Sequence, residues 1–139
     1  MTYRPDLERF IISQSAIFRD VEGRVLVLKD TKGPWLLPGG CINVGENSLE
    51  GLIREVKEET GLDLDKVLSA TDMVTWYEKD VAWSSVAFEC TVKKTTPIIL
   101  SNEHTEYRWI TETELADIPF WHPNIGTRIK KVFEKYHRQ

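Results

Sequence analysis

The sequence predicts an α/β or α+β fold, with a mixed β-sheet between roughly two layers of helix. Two observations lead to this prediction. Short apolar runs with partial alternation, typical of strands, occupy much of the chain. Two longer stretches, over 48–60 and 123–137, instead repeat apolar residues at helical spacing. Each apolar face must be buried against another element, so strands mixed with amphipathic helices predict a layered architecture.

The strands are predicted from these apolar runs and the turn residues between them. Gly23 is the expected left-handed residue of a turn over 20–24, so the flanking runs predict a hairpin over 9–30. A turn-rich strand and loop follow over 35–46. Later strands are expected at 66–78, 81–93 and 106–110, the first two joined by a turn at 79–80.

The first helix has both a start and a stop signal. Asn47 and Glu50 form a capping-box pattern, and Gly61 is placed to end the helix after residue 60. Its apolar stripe is expected to consist of Leu49, Leu52, Ile53, Val56 and Thr60. A second capping-box pattern, Thr111 with Glu114, predicts a short helix over 112–117, and Pro123 suits the first turn of the last helix.

Composition narrows the classes of function. The chain has 139 residues, 41% of them hydrophobic, and a net charge of −4. We expect one domain over 1–139 and no binding to polymeric nucleic acid or to membranes, since both require a basic face. The two cysteines, Cys41 and Cys90, fit no zinc pattern and predict reduced thiols in a cytoplasmic protein. The sequence leaves open whether the protein forms a homodimer.

Three carboxylates share one arc of the first helix. An α-helix turns by about 100° per residue. Measured from the centre of the apolar stripe, Glu58, Glu55 and Glu59 lie between about 180° and 280° around the helix axis. Carboxylates at this spacing repel, and Gly51 in the same arc leaves room for a group to approach the backbone. Hard divalent cations take oxygen ligands, so the arc predicts a Mg²⁺ or Mn²⁺ site. A solvated acidic face is the alternative.

The stretch from residue 39 to 62 contains a spaced set of glycines, charged residues and apolar residues: Gly40, Glu46, Arg54, Glu55, Val56, Glu58, Glu59, Gly61 and Leu62. This pattern resembles the Nudix box of the Nudix hydrolase (MutT-like) family. The segments "PWLLPGG" before the box and "EYRWIT" after it also resemble the family, in the expected order. The resemblance implies an α/β/α sandwich with a mixed β-sheet. It also implies a hydrolase that cleaves a phosphoanhydride in a nucleoside diphosphate linked to another group.

The resemblance also implies roles within the box. The cofactor would be Mg²⁺ or Mn²⁺, bound by Glu55, Glu58, Glu59 and the carbonyl of Gly39, with Glu58 and Glu59 the firmest ligands. Arg54 would orient a box carboxylate, and Glu46 would fasten the loop to the helix. Gly40 and Gly61 would permit the tight loop and the end of the helix.

The general base is expected either in the box or on a later loop. Glu103 is the candidate on the loop, with Glu106 behind it. The predicted catalytic set is therefore Glu55, Glu58, Arg54 and Glu103. His104 lies alongside, but a lone histidine on a loop is more often exposed to solvent than catalytic.

The substrate is expected to be a small nucleotide. Trp35, Tyr77 and Trp83, together with Trp76, are candidates to stack on a base, and packing in the core is the alternative for each. The chain lacks the proline that ADP-ribose-cleaving members carry soon after the box, so we expect a nucleoside triphosphate. The alternatives are a dinucleoside polyphosphate, a nucleotide sugar, or a nucleotide-binding module without catalysis.

Overall fold

The computed structural model describes residue 2 and residues 4–137, and this part of the chain alternates strands with two helices. The strands are β1 Ile11–Phe18, β2 Val25–Asp30, β3 Trp35–Leu36, β4 Gly39–Cys41, β5 Leu64–Glu78, β6 Val81–Val92 and β7 His104–Ile110. The helices are α1 Ser48–Thr60 and α2 Pro123–His137, with a 3₁₀ turn at Leu115–Asp117. Among the described residues, no helix is both long and apolar enough to span a membrane.

The strands form two sheets. A four-stranded mixed sheet has the order β4-β1-β6-β5, in which only β1 and β6 are parallel, and an antiparallel sheet has the order β3-β2-β7. The predicted hairpin over 9–30 is therefore wrong: β1 and β2 belong to different sheets and meet only at an isolated bridge between Arg19 and Val25. The turn reverses the chain as predicted, but partners from distant parts of the sequence decide which strands pair.

Consecutive side chains of the central strands pack into two separate cores. Ala16 and Phe18 of β1 belong to one core, together with Leu52 of α1, whereas Ile17 belongs to the other core, together with Ile129 of α2. Successive residues of a strand point to opposite faces, so the two helices cover opposite faces of the strands. This arrangement is the predicted α/β/α sandwich.

Helix α1 has the predicted bounds because its caps are local. The Asn47 side chain accepts a hydrogen bond from the Glu50 backbone N–H at 3.0 Å, and the Glu50 carboxylate accepts one from the Asn47 N–H at 3.1 Å. Gly61 has a φ of +76°, the left-handed conformation that ends the helix. Both signals act within a few residues and need no tertiary context.

The buried face of α1 is rotated from the predicted stripe. Leu49 and Ile53 are 51% and 40% exposed, whereas Leu52, Val56 and Thr60 are buried as predicted. Gly51 and Glu59 are buried as well. The helix has turned the Glu59 side of its carboxylate arc toward the sheet, while Glu58 stays exposed, because polar contacts with β1 and β4 form part of its packing surface.

Two smaller predictions have different outcomes. The turn between β5 and β6 lies at 79–80 as predicted, with Lys79 and Asp80 at φ values of +51° and +63°. Thr111 and Glu114 form the predicted reciprocal hydrogen bonds. The helix predicted over 112–117 is reduced to the 3₁₀ turn, since it offers only a short apolar face to the core.

Candidate active site

The start of α1 is fixed to β1 by a buried amide. Gln14 is 1% exposed, and its Nε2 donates to the backbone carbonyl of Ser48 at 2.6 Å. The Ser48 hydroxyl donates in return to Gln14 Oε1 at 2.7 Å. A Cβ at Gly51 would lie 2.9 Å from Glu46 Oε1. The space left at Gly51 is thus filled by the protein's own side chains, and not by a ligand as the sequence suggested.

Arg54 connects the loop before α1 to the carboxylates of the helix. Its guanidinium binds Glu46 through two hydrogen bonds of 2.6 and 3.0 Å. It also donates to Glu55 at 2.9 Å and to Glu58 at 3.3 Å. A further bond of 3.2 Å reaches the carbonyl of Cys41 on β4. Arg54 therefore fixes three carboxylates and one strand relative to each other.

Glu46 is the firmest partner of this arginine. Its carboxylate also accepts from the Asn43 backbone N–H at 2.7 Å. The hydrogen bonds from Arg54 and Asn43 lower the pKa of Glu46 to about 2. The carboxylate is thus ionised and closes the loop onto the helix, which is the arrangement implied for it by the resemblance.

Glu59 faces the sheet. Only 5% of the residue is exposed, and its Oε2 accepts a hydrogen bond of 3.0 Å from the Gly39 N–H. Burial raises the pKa of Glu59 to about 8, and the negative charges of Glu55, Glu103 and Glu58 raise it further against the lowering effect of the Gly39 hydrogen bond. A buried carboxylate surrounded by other carboxylates is a site where a cation would be stabilised.

Glycine is required where β4 passes the helix. A Cβ at Gly40 would lie 2.6 Å from the carboxylate carbon of Glu55, and one at Gly39 would lie 2.0 Å from the carbonyl oxygen of Gln14. A side chain at Gly39 would displace β4 from the backbone of β1, whereas one at Gly40 would force the Glu55 carboxylate out of its position. The two glycines thus allow the backbone of β4 to lie directly against the carboxylates.

A cavity of about 710 Å³ opens beside β4. Its wall includes Gly39, Glu59, Glu103 and His104, but neither Glu55 nor Glu58. Glu58 has a side chain that is 58% exposed, and Glu55 is held by Arg54. Of the three box glutamates predicted to bind the metal, only Glu59 lines this cavity.

Glu103 and His104 bring a second chain segment to Glu59. One ligand atom from each of these three residues lies within 4.8 Å of the other two. His104 begins β7 and is only 7% exposed, and its Nδ1 is buried without a hydrogen-bond partner among the described residues. Burial lowers the pKa of His104, although Asp30 and Glu103 oppose the shift. The histidine predicted to be an exposed loop residue is instead part of the cavity wall.

Aromatic side chains line another part of the same cavity, away from the carboxylates. On β1, Ser15 pairs with Gly39, and Ile11, four residues earlier, pairs with Trp83. Gly39 and Trp83 therefore lie about 13 Å apart along the direction of β1. The rings of Trp83 and Trp76 are nearly parallel, with centroids 6.2 Å apart. Trp121 also lines the cavity. The cavity therefore combines a carboxylate part with an aromatic part.

Arg128 of α2 is a buried cation in the cavity wall, and it was not among the predicted site residues. It is 2% exposed, and its Nε donates to Asp72 at 2.7 Å. Its two terminal nitrogens donate to the hydroxyl and the carbonyl of Ser85, each at 2.8 Å. A signal was available, because residue 128 falls on the apolar stripe of α2, between Ile125 and Val132.

The structure separates the other predicted residues. Trp83 lines the cavity, but Trp35 is 3% exposed and packs in the core beside α2, beneath the guanidinium of Arg108. Tyr77 is 66% exposed, and its hydroxyl donates to Glu8 at 2.7 Å. Neither Trp35 nor Tyr77 lines the cavity, so their predicted substrate contacts find no support. Glu106 is paired with Arg108 outside the cavity.

Residues 9–133 match the NUDIX domain family. A Mycobacterium tuberculosis relative named "Putative 8-oxo-dGTP diphosphatase 3" is 30% identical over 103 residues, which cover 72% of this chain and 47% of that protein. This chain thus spans about half the length of that relative. A Salmonella schwarzengrund relative named nucleoside triphosphatase NudI is 32% identical over 110 residues, covering 69% of this chain and 72% of that protein.

Solved structures resemble this fold over almost its full length. The MutT protein from Methanosarcina mazei Go1 has a TM-score of 0.74 at 25% identity, covering 93% of this chain and 96% of that one. A C. elegans Ap4A hydrolase binary complex has a TM-score of 0.75 at 19% identity, covering 92% of this chain and 98% of that one. At the latter identity the likeness extends to the fold alone.

Proposed function

Since the chain belongs to the Nudix hydrolase family, we propose that it is a Mg²⁺- or Mn²⁺-dependent pyrophosphohydrolase of nucleoside triphosphates. One observation carries the proposal. The box places Glu59, buried and beside other carboxylates, in the wall of a cavity that tryptophans also line. Such a cavity has one part suited to a cation with phosphates and another suited to a base.

The chemistry of the donor set fits a hard divalent cation. Glu59 and the carbonyl of Gly39 would hold it from the cavity wall, and Glu55 and Glu58 would hold it from the side of Arg54. All of these ligands are oxygens, and the carboxylates repel one another until a cation lies among them. When bound, the cation neutralises phosphate charge and lowers the pKa of water.

The protein's own residues supply position and a proton acceptor. Arg54 keeps Glu55 and Glu58 in place through hydrogen bonds of 2.9 and 3.3 Å. Glu103 is exposed at the cavity and would take a proton from the water that attacks a phosphorus atom. The water oxygen bonds to phosphorus as the P–O–P bridge breaks, and the departing phosphate oxygen takes up the negative charge.

The aromatic part of the cavity supports a nucleotide as the substrate. Base–aromatic stacking contributes about 1–3 kcal/mol per base and accepts any base. Trp76, Trp83 and Trp121 offer such faces at the cavity wall. A nucleoside triphosphate agrees with the names of the M. tuberculosis and Salmonella relatives.

The test is hydrolysis in ¹⁸O-labelled water. The protein is incubated with nucleoside triphosphates, dinucleoside polyphosphates and nucleotide sugars, each with Mg²⁺, Mn²⁺ or EDTA, and the products are identified by mass spectrometry. We expect a nucleoside monophosphate and pyrophosphate from triphosphates, and no turnover in EDTA. The position of the label identifies the phosphorus attacked. Turnover that EDTA leaves unchanged, or no turnover of any compound, would overturn the proposal.

A further inference from the structure

We propose that His104 supplies a nitrogen ligand to a metal ion held with Glu59 and Glu103, so that this part of the cavity favours a transition-metal cation over Mg²⁺. The inference rests on the proposed function only in taking the cavity as the reaction site. It concerns which cation binds and through which atoms, and it adds a ligand from outside the box.

The first observation is the convergence of three ligand atoms from two chain segments. One atom each from Glu59, Glu103 and His104 lies within 4.8 Å of the other two. Glu59 comes from the last turn of α1, whereas His104 is the first residue of β7 and Glu103 lies in the turn directly before it. A single ion at this place would thus bind α1 to the strand that pairs with β2.

The second observation is the unsatisfied imidazole. His104 is 7% exposed and lines the cavity, and its Nδ1 has no hydrogen-bond partner among the described residues. In that part of the chain only two other buried side-chain atoms lack partners, Arg19 Nε and Thr91 Oγ1, and neither residue lines this cavity. A histidine buried for packing alone would have its ring nitrogens satisfied, so the open nitrogen indicates a ligand.

The backbone holds the imidazole in this position. His104 pairs with Asp30 at the end of β2, and its N–H donates to the carbonyl of Ser101 at 3.4 Å. The Glu103 carbonyl accepts a hydrogen bond of 3.2 Å from the Thr31 N–H. The two ligands that follow each other in the chain are therefore tied to β2, and Glu59 is tied to β4 through Gly39.

The donor set determines the cation that fits. Mg²⁺ prefers six oxygens in an octahedron and keeps several waters, so a nitrogen ligand adds little to its affinity. Imidazole suits later first-row cations, and affinity for a mixed nitrogen and oxygen site rises from Mn²⁺ to Co²⁺. With His104 the site should bind Co²⁺ more tightly than Mn²⁺, and both more tightly than Mg²⁺.

The direct test is pulsed EPR of the wild-type protein loaded with Mn²⁺, with and without ¹⁵N-labelled histidine. A nitrogen ligand gives an echo modulation that changes with the isotope, and we expect this signal in the wild type. The measurement needs no substitution and no turnover. Bound Mn²⁺ without nitrogen modulation would overturn the inference, even if the protein hydrolyses triphosphates. A nitrogen signal would support it, even if no nucleotide is hydrolysed.

Variants then assign the nitrogen. His104→Gln should abolish the modulation and weaken Co²⁺ binding by about tenfold or more, with little change for Mg²⁺, in calorimetric titrations of the chloride salts. His122→Gln is the matched control, because His122 lines the same cavity but its Nδ1 accepts from the Asn124 N–H at 3.2 Å. A modulation that survives His104→Gln and is lost in His122→Gln would overturn the inference.

Discussion

At the scale of single residues, the site depends on a contrast between Arg54 and Glu59. Arg54 satisfies Glu46, Glu55 and Glu58 with charge-assisted hydrogen bonds, so these carboxylates are compensated by the protein itself. Glu59 has one backbone hydrogen bond and no cationic partner among the described residues. Within the box, Glu59 is thus the carboxylate that most requires a cation from outside.

Glu103 is proposed both as a ligand beside Glu59 and His104, through one carboxylate oxygen, and as the proton acceptor, through the other, and these two roles can be separated. If Glu103 takes the proton from water, Glu103→Gln lowers kcat by about 10²–10⁴-fold, because glutamine keeps the shape but cannot accept the proton. The readout is kcat as a function of Mn²⁺ concentration. A loss of kcat that excess Mn²⁺ restores would instead indicate that Glu103 acts only as a ligand.

Glu106→Gln is the matched control for this substitution. Glu106 lies three residues on, outside the cavity, and its carboxylate pairs with Arg108 at 3.3 Å. Its variant should keep near wild-type kcat at every metal concentration. Near wild-type kcat in Glu103→Gln would mean that Glu103 is not the base, and Glu55 would become the leading candidate.

At the scale of elements, α1 was predictable and the pairing of strands was not. The bounds of α1 follow from Asn47, Glu50 and Gly61, whose effects reach only a few residues. The rotation of its buried face depends on Gln14 and Gly39, which arrive from other strands. The stripe of apolar residues could not predict that a glutamate would be buried in place of Leu49.

Helix α2 illustrates a signal that the sequence contains but that is easily overlooked. Its predicted bounds are correct, yet no role was predicted for Arg128, although residue 128 falls on the apolar stripe. A cation on a buried stripe needs partners from elsewhere, and here Asp72 and Ser85 supply them. Sequence spacing locates such a residue, but only the fold identifies its partners.

The Arg128–Asp72 pair should stabilise the fold as a coupled unit. Arg128→Leu leaves Asp72 with Lys131, at 3.6 Å, as its cationic partner among the described residues, beside a hydrogen bond of 3.2 Å from the Thr71 hydroxyl. Because Asp72 is also 25% exposed, we expect a loss of about 3 kcal/mol in the free energy of unfolding, the low end for a buried pair. Arg128→Leu combined with Asp72→Asn should cost less than the sum of the single losses. The measurement is urea unfolding of the four proteins of this double-mutant cycle.

The exposed pair Lys57–Asp63, at 3.1 Å, is the control cycle. Both side chains are more than half exposed, so their coupling should stay below about 1 kcal/mol. Additive losses at Arg128 and Asp72, equal to those of the surface pair, would contradict a structural role for the buried pair.

At the scale of the whole molecule, the two helices pack on opposite faces of the strands, and each contributes to the cavity wall. Glu59 comes from α1 and Arg128 from α2, while β1 and β6 supply residues between them. The fold thus collects carboxylates at one place, where their repulsion lowers stability in the absence of a cation. Functional sites of this kind commonly lower the stability of the fold, because the arrangement that function needs is not the most stable one.

The most direct test of the metal site is thermal unfolding of the wild type and of Glu59→Gln, with EDTA and with increasing Mg²⁺ or Mn²⁺. A cation that binds only the folded state at 100 times its Kd adds about 2.7 kcal/mol, which raises Tm by several degrees. Glu59→Gln keeps the acceptor for the Gly39 N–H but removes an ionisable carboxyl, which folding without metal forces to take up a proton below its pKa of about 8. We therefore predict that Glu59→Gln melts at or above the wild-type Tm in EDTA and gains much less from metal. An equal gain in both proteins, or no gain in the wild type, would contradict a cation held by Glu59.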